Sequence, residues 1–288
     1  MSTGILGILR NAAAELYPLI TKELSKQSTK KYNRDEWTLC ELDTWKNTSF
    51  PRLLKERHDS EKSLYMTKDE LVLLMDWKLA KGKFRPSLPK LIKSNSPESV
   101  LNFSREGYSI FMSYIESTGA NDWTHISTED YKITIRASLK ALCQLKGVGP
   151  ATASLMLSLL CEVTKFAPPF FSDESFMYFI RDPLRPSQPI KYTVREYVEE
   201  FVPVLAKMSA QDRLSSPAIL EKGSWSLKMY HLYRIDRLTD LELPFEISDE
   251  SAEAFKDISK YISGNIPEKR TTTREGISGG KKRKTSGS

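Results

Sequence analysis

Cysteine and histidine are scarce in this chain. Its 288 residues hold three of each, Cys40, Cys143 and Cys161, and His58, His125 and His231. No two cysteines form a CxxC pair, and three cannot build a four-cysteine metal site. The odd count in a long chain suits a reducing compartment rather than a disulfide scaffold. The histidines lie far apart, and no pair has metal-ligand spacing. A Walker-type phosphate loop, an internal repeat and an Asn-Gly or Asp-Gly hairpin signal are all missing. The longest charge-free apolar stretch, residues 147–161, has 15 residues, short of the roughly 20 a membrane helix needs. Arg10 and Glu15 interrupt the apolar start, which argues against a secretory signal. These exclusions predict a soluble intracellular protein with no membrane partner and no side-chain-held cofactor.

What is present is uneven charge. The formal net charge is +6. Residues 268–288 carry seven basic residues against Glu268 and Glu275, which accounts for five of those six charges. This segment is rich in Ser, Thr and Gly and poor in large apolar groups, so residues 265–288 read as a disordered basic tail. Its Lys281-Lys282-Arg283-Lys284 run resembles a nuclear import signal and predicts a nuclear location. Within the body, residues 78–93 carry Lys78, Lys81, Lys83, Arg85, Lys90 and Lys93 with no acid among them, and residues 236–254 are strongly acidic. A nearly neutral body can thus present one basic face.

Helical signals dominate, and the predicted class is all-α. Residues 4–25 carry Ile5, Ile8, Leu9, Ala13, Leu16 and Ile20 at helical spacing, with Pro18 expected to kink or end the helix. Residues 1–36 therefore read as an N-terminal helix and polar linker, and 37–264 as the main helical region. Thr67-Lys68-Asp69-Glu70 is a capping box, and Gly82 is the expected stop. Ser96-Pro97 opens a helix that ends near Gly119. Ser127 starts one that runs to about Gln144, Thr193 starts one that Pro203 should kink, and residues 225–238 form a fifth.

The informative segment is the hairpin of residues 140–162. Gly147 and Gly149 flank Val148, permitting a tight turn and close approach of a ligand to the main chain. Val148 can tuck into the core. Pro150 suits the first position of the next helix, whose free N–H groups attract an anion, with Lys146 beside them. The helix after it is apolar nearly all round and should be buried.

Leu145-Lys146-Gly147-Val148-Gly149-Pro150-Ala151-Thr152-Ala153 resembles the helix-hairpin-helix of DNA-binding proteins. With Lys140-Ala141-Leu142-Cys143 before it, it is similar to the hairpin of 8-oxoguanine DNA glycosylases in the helix-hairpin-helix DNA glycosylase superfamily. The resemblance covers about 40 residues, 140–180. It implies a glycosylase-like helical bundle and DNA as partner, with Lys146, Gly147, Val148, Gly149, Ala151 and Thr152 at a phosphate. It also implies a monovalent cation on the carbonyls of Cys143, Leu145 and Val148. The superfamily's catalytic carboxylate matches Asp173, which follows the apolar loop 166–172. Asp173 also reads as the cap of a helix starting at Glu174. Where bifunctional relatives carry a lysine nucleophile, this chain has Ala151, which disfavours lyase chemistry through that position.

Trp77-Lys78-Leu79-Ala80-Lys81-Gly82-Lys83-Phe84-Arg85-Pro86 is similar to a stretch in eukaryotic proteins that carry this hairpin. Basic residues interleaved with Trp77 and Phe84 suit phosphate contact and base stacking, which adds Lys81, Lys83 and Arg85 to the expected DNA face, the alternative being that Trp77 and Phe84 are core and the lysines solvated. The leading expectation is a nuclear DNA-binding protein. Its enzymatic version is a monofunctional base-excision glycosylase using Asp173. The alternative is a non-catalytic helical interaction module that keeps the hairpin as a packing element. The sequence names no protein partner.

Overall fold

The computed structural model describes residues 4–33, 35–83, 85–184, 188–233 and 237–245. Their regular structure is helical, with a single isolated bridge, Tyr32 to Trp37, in place of any strand among the described residues. Helix α1 runs through Ile5–Asn11, Ala12–Leu16 and Tyr17–Lys26. Helix α2 runs through Leu39–Thr44, Trp45–Ser49 and Phe50–Glu61. Then come α3 (Lys68–Lys81), α4 (Leu88–Lys93), α5 (Pro97–Thr118), α6 (Thr128–Leu142) and α7 (Pro150–Ser158). Helix α8 comprises Asp173–Phe176, Met177–Arg181 and Asp182–Leu184, α9 comprises Glu196–Phe201 and Val202–Gln211, and α10 is Pro217–Tyr233. The tail 265–288, with its Lys281–Lys284 run, lies outside the described residues, as does Phe84.

Helix starts follow side-chain chemistry. Thr67 and Glu70 close a reciprocal capping box, and Thr38 and Glu41 close another. Ser96 and Ser127 accept from the backbone N–H three residues on. Gly82 ends α3, and Gly119, at φ +56°, ends α5 in the left-handed conformation.

Helices α1, α2, α8 and α9 each contain a wide π-helical stretch, and the second residue after each stretch is a proline: Pro18, Pro51, Pro183 and Pro203. A proline offers no N–H and its ring strikes the carbonyl one turn back. A wider turn moves that carbonyl aside, so the helix continues. Pro18 therefore does not end α1, which runs on to Lys26. Ala12, at regular helical spacing from Ile5, Leu9 and Leu16, is buried, and the expected Ala13 is not. The last helix begins at Pro217, eight residues before the predicted start at 225.

Helices α1 and α10 pack at main-chain contact. A Cβ on Gly223 would sit far inside van der Waals distance of the Leu9 carbonyl. Arg10 pairs with Asp212, and Gln27 donates to the Arg237 carbonyl at 2.7 Å. The first helix thus shares one apolar core with the rest of the chain. Gly107 serves the same purpose in α5, where a Cβ would meet the Leu142 side chain of α6 at 2.6 Å. Helix α7 is buried from Ala151 through Ser158, as its all-round apolar character predicts.

Candidate functional site

The hairpin between α6 and α7 is built as a tight turn. Val148 N–H donates to the Leu145 carbonyl at 3.0 Å, and the Val148 side chain is buried. Gly147 has φ +80° and packs against Leu91 and Ile92 of α4, where a Cβ would come within 3.1 Å of Leu91. Only this glycine uses the left-handed region. Gly149, at φ −102° and ψ −177°, is extended, so the expectation that both glycines serve unusual backbone angles is corrected. What Gly149 provides is space, because a Cβ there would meet nothing within 4 Å.

Asn95 holds the turn from outside. Its Oδ1 accepts from Lys146 N–H at 2.8 Å and its Nδ2 donates to the Lys146 carbonyl at 2.9 Å. The Lys146 side chain is left exposed. The N–H groups of Gly147, Gly149 and Ala151 find no acceptor among the described residues, whereas those of Thr152 and Ala153 turn back to the Gly149 carbonyl at 2.9 Å. An extended residue followed by a helix start with free amides is a seat for an anion. Of the three carbonyls expected to take a cation, Leu145 already accepts from Val148 and keeps one lone pair. Backbone carbonyls are hard oxygen donors, which fit a monovalent cation.

Beside the turn lies a cleft of about 370 Å³. It is lined by Gly147, Gly149, Ala151 and Thr152 of the hairpin, by Lys78, Lys81, Lys83 and Arg85, and by Asp173. Three segments far apart in the chain therefore open onto one space. Lys83 and Arg85 are exposed at its rim. Trp77 and Phe170, with ring centroids 6.0 Å apart, contribute aromatic walls. Lys81 departs from the expected phosphate-contacting face. It is buried and paired with Asp43 at 3.1 Å, and it donates to the Tyr17 hydroxyl at 2.6 Å. Burial alone would raise the Asp43 carboxyl, but the Lys81 ammonium and donors from Trp77 and Tyr17 hold it below its ordinary value. Thr152 is also buried, its hydroxyl accepting from Lys78 Nζ at 3.0 Å.

Asp173 does not cap its helix. Ser172 occupies the cap position and Asp173 is the first helical residue. Its Oδ2 instead accepts from the Tyr192 hydroxyl at 2.6 Å. Tyr192 has φ +56°, a strained setting for a bulky side chain. The strain is over-determined by Glu196, whose carboxylate accepts from the N–H of Lys191 at 3.0 Å and of Thr193 at 3.2 Å, the residues flanking Tyr192. Glu196 is itself buried against Arg181. The Arg85 guanidinium lies 5.2 Å from the Tyr192 ring centroid, closing the rim.

The cleft floor carries groups displaced from their usual ionisation. Burial, reinforced by the Asp173 charge, pushes the Glu174 carboxyl up to about 7. Burial likewise raises Glu221, whose carboxylate accepts from the Ser172 hydroxyl at 2.5 Å. Lys46 and Lys78 are both lowered to about 8 by burial. Glu174, Tyr192, Lys46, Lys78 as a cleft group and the Asn95 clamp were not among the sequence-predicted site residues. The Asp173-Glu174 pair directly after an apolar loop was the one local signal for them.

No group of three or more His, Cys, Asp or Glu side chains among the described residues could hold a metal ion. No helix among them is long and apolar enough to cross a membrane. No family model, curated protein or solved structure matches the chain.

Proposed function

We propose that this chain binds DNA through its hairpin and receives an extruded nucleotide in the adjoining cleft, acting as a monofunctional base-excision enzyme. The observation that carries the reading is the convergence of the hairpin amides, the Lys83–Arg85 rim and Asp173 on one cleft. Seven basic residues line it against three acidic ones, Asp173, Glu174 and Glu221, which favours a polyanion. The free amides of Gly147, Gly149 and Ala151, with Lys146, would hold a backbone phosphate, and the carbonyls of Cys143, Leu145 and Val148 a monovalent cation beside it. Trp77 and Phe170 would flank the extruded base. Asp173 would stabilise positive charge developing on the sugar and orient the attacking water. Glu174, near half-protonated at neutral pH, would give its proton to the departing base. A nuclear location through the Lys281–Lys284 run belongs to the same proposal.

The test measures duplex DNA affinity against salt for the full chain and for a chain without residues 265–288, together with base release from a panel of modified duplexes. Retained, salt-dependent binding without the tail and base release that Asp173→Asn abolishes are expected. Binding that vanishes with the tail would favour the helical interaction module instead.

A further inference from the structure

Two lysines on the cleft floor, Lys46 of α2 and Lys222 of α10, have no carboxylate within ion-pair distance among the described residues. Lys46 is buried. Its Nζ donates to the neutral Asn47 amide oxygen at 3.2 Å and lies 4.5 Å from the Trp77 ring centroid. Lys222 is half-buried, with Nζ 5.3 Å from the Tyr17 ring centroid, and it is close enough to Lys46 to repel its charge. Lys81, by contrast, has its counter-ion in Asp43. Glu221 lies in the field of all three ammonium groups, but its carboxylate is bonded to the Ser172 hydroxyl. Taking an ammonium out of water beside another of like charge is costly, and facing rings return only part of the cost. An apolar side chain at position 46 would serve packing better. The pair is built for an anion.

We propose that the cleft floor binds a planar ring bearing one carboxylate, with Lys46 and Lys222 holding the carboxylate. Charge sets the class of anion. Lys46, Lys81 and Lys222 face the carboxylates of Asp43 and Glu221, which leaves one positive charge over when Glu174 is protonated. A monoanion balances that charge, and a doubly charged phosphate would exceed it. The walls set the rest of the ligand. Trp77 with Phe170, at 6.0 Å between centroids, and Tyr17 with Trp225, at 5.3 Å, offer aromatic surface to a flat ring. The cleft volume of about 370 Å³ has room for one. Such a ring has two sources. A free aromatic acid enters with nothing attached. A carboxyl-bearing pyrimidine in DNA enters as the extruded base, its phosphates staying at the hairpin, and this source alone rests on the DNA-binding reading. In either case the bound carboxylate restores Lys46 toward an ordinary ammonium, so binding takes up protons.

The experiment has two arms on the full chain. Calorimetry compares orotate with uracil, the same ring without the carboxylate, in buffers of different ionisation enthalpy that report proton uptake. Fluorescence anisotropy compares a duplex holding one 5-carboxycytosine with the same duplex holding cytosine. A preference of at least tenfold for the carboxylate in either arm, lost in Lys46→Met and in Lys222→Met, is the expected result, with proton uptake in the orotate arm if that arm shows it. Lys46→Met should also melt no lower than wild type, because a buried unpaired charge is gone. Lys222→Met carries the test should Lys46→Met not fold. Preference for orotate alone assigns the site to a free acid, and preference for the modified duplex alone assigns it to a base in DNA. No preference in either arm, or one that survives the substitutions, overturns the inference. A chain that binds both duplexes equally and ignores orotate loses this inference and keeps the DNA-binding reading. A chain that takes orotate and no DNA does the reverse.

Discussion

Tyr192 reaches Asp173 with a 2.6 Å hydrogen bond from a backbone held at φ +56°. The strained residue and the carboxylate it orients are separated by 19 positions, and Glu196 secures the geometry by receiving the N–H groups on both sides of the tyrosine. Removing the hydroxyl with Tyr192→Phe should cost about 1–2 kcal/mol in urea denaturation. Glu196→Ala should cost more, about 3 kcal/mol, because buried Arg181 loses the nearer of its two carboxylates and keeps only Glu200 at 3.4 Å. Equal losses for the two variants would show that Glu196 does not anchor this loop.

The two hairpin glycines should respond in opposite ways. Gly147→Ala places a side chain at φ +80° against Leu91 and should lower stability by about 1–3 kcal/mol. Gly149→Ala enters open space and should stay within about 0.5 kcal/mol of wild type. Gly149→Arg should melt like wild type and weaken duplex binding at least tenfold. Unchanged affinity for that variant would remove the hairpin from the interface.

Glu174 ties stability to pH. Its folded value of about 7 lies above the ordinary 4.5, so between them the folded chain holds a proton that the unfolded chain has released. The resulting stabilisation is full below about pH 4.5 and is lost as pH rises through about 7. Glu174→Gln should therefore gain on wild type between pH 5 and pH 8, by about 1–2 kcal/mol once partial exposure is allowed for. Melting curves at the two pH values check this. A constant difference would mean that the carboxyl titrates normally.

Gly223→Ala should be among the most damaging single substitutions in the chain. The new methyl collides with the Leu9 carbonyl, which is backbone and cannot swing aside. A loss above about 3 kcal/mol is expected, read by thermal melting or by failure to accumulate folded protein.

Local chemistry was legible wherever it decided the structure. Thr67 with Glu70, Ser96 with Pro97, and Ser127 mark helix starts that the fold uses, and Gly82 and Gly119 mark stops. Val148 lies inside the turn, as a large apolar residue between two glycines should. Helical spacing of the buried residues persists across the wide turns. In α2 the buried Leu39, Leu42, Phe50 and Leu54 keep one helical face across the stretch Trp45–Ser49. The cleft was not legible. Lys78 meets Thr152 over 74 positions and Asn95 meets Lys146 over 51, and no spacing rule spans such distances. Asp173 could be picked out from its neighbours, but Tyr192 is visible only once the chain has closed upon itself.

That closure has a cost in time. Leu9 and Gly223 touch backbone to backbone, so the groove that receives the first helix does not exist until the tenth has been synthesised. At about 5–20 residues per second, a ribosome needs roughly 10–40 s to cover the interval. Throughout that period Ile5 and Leu9 lack their α10 surface, whereas the end of the first helix can already pack on α2, where the Tyr17 hydroxyl donates to Asp43. Truncations that remove α10 should therefore expose the apolar face of Ile5 and Leu9 and favour aggregation.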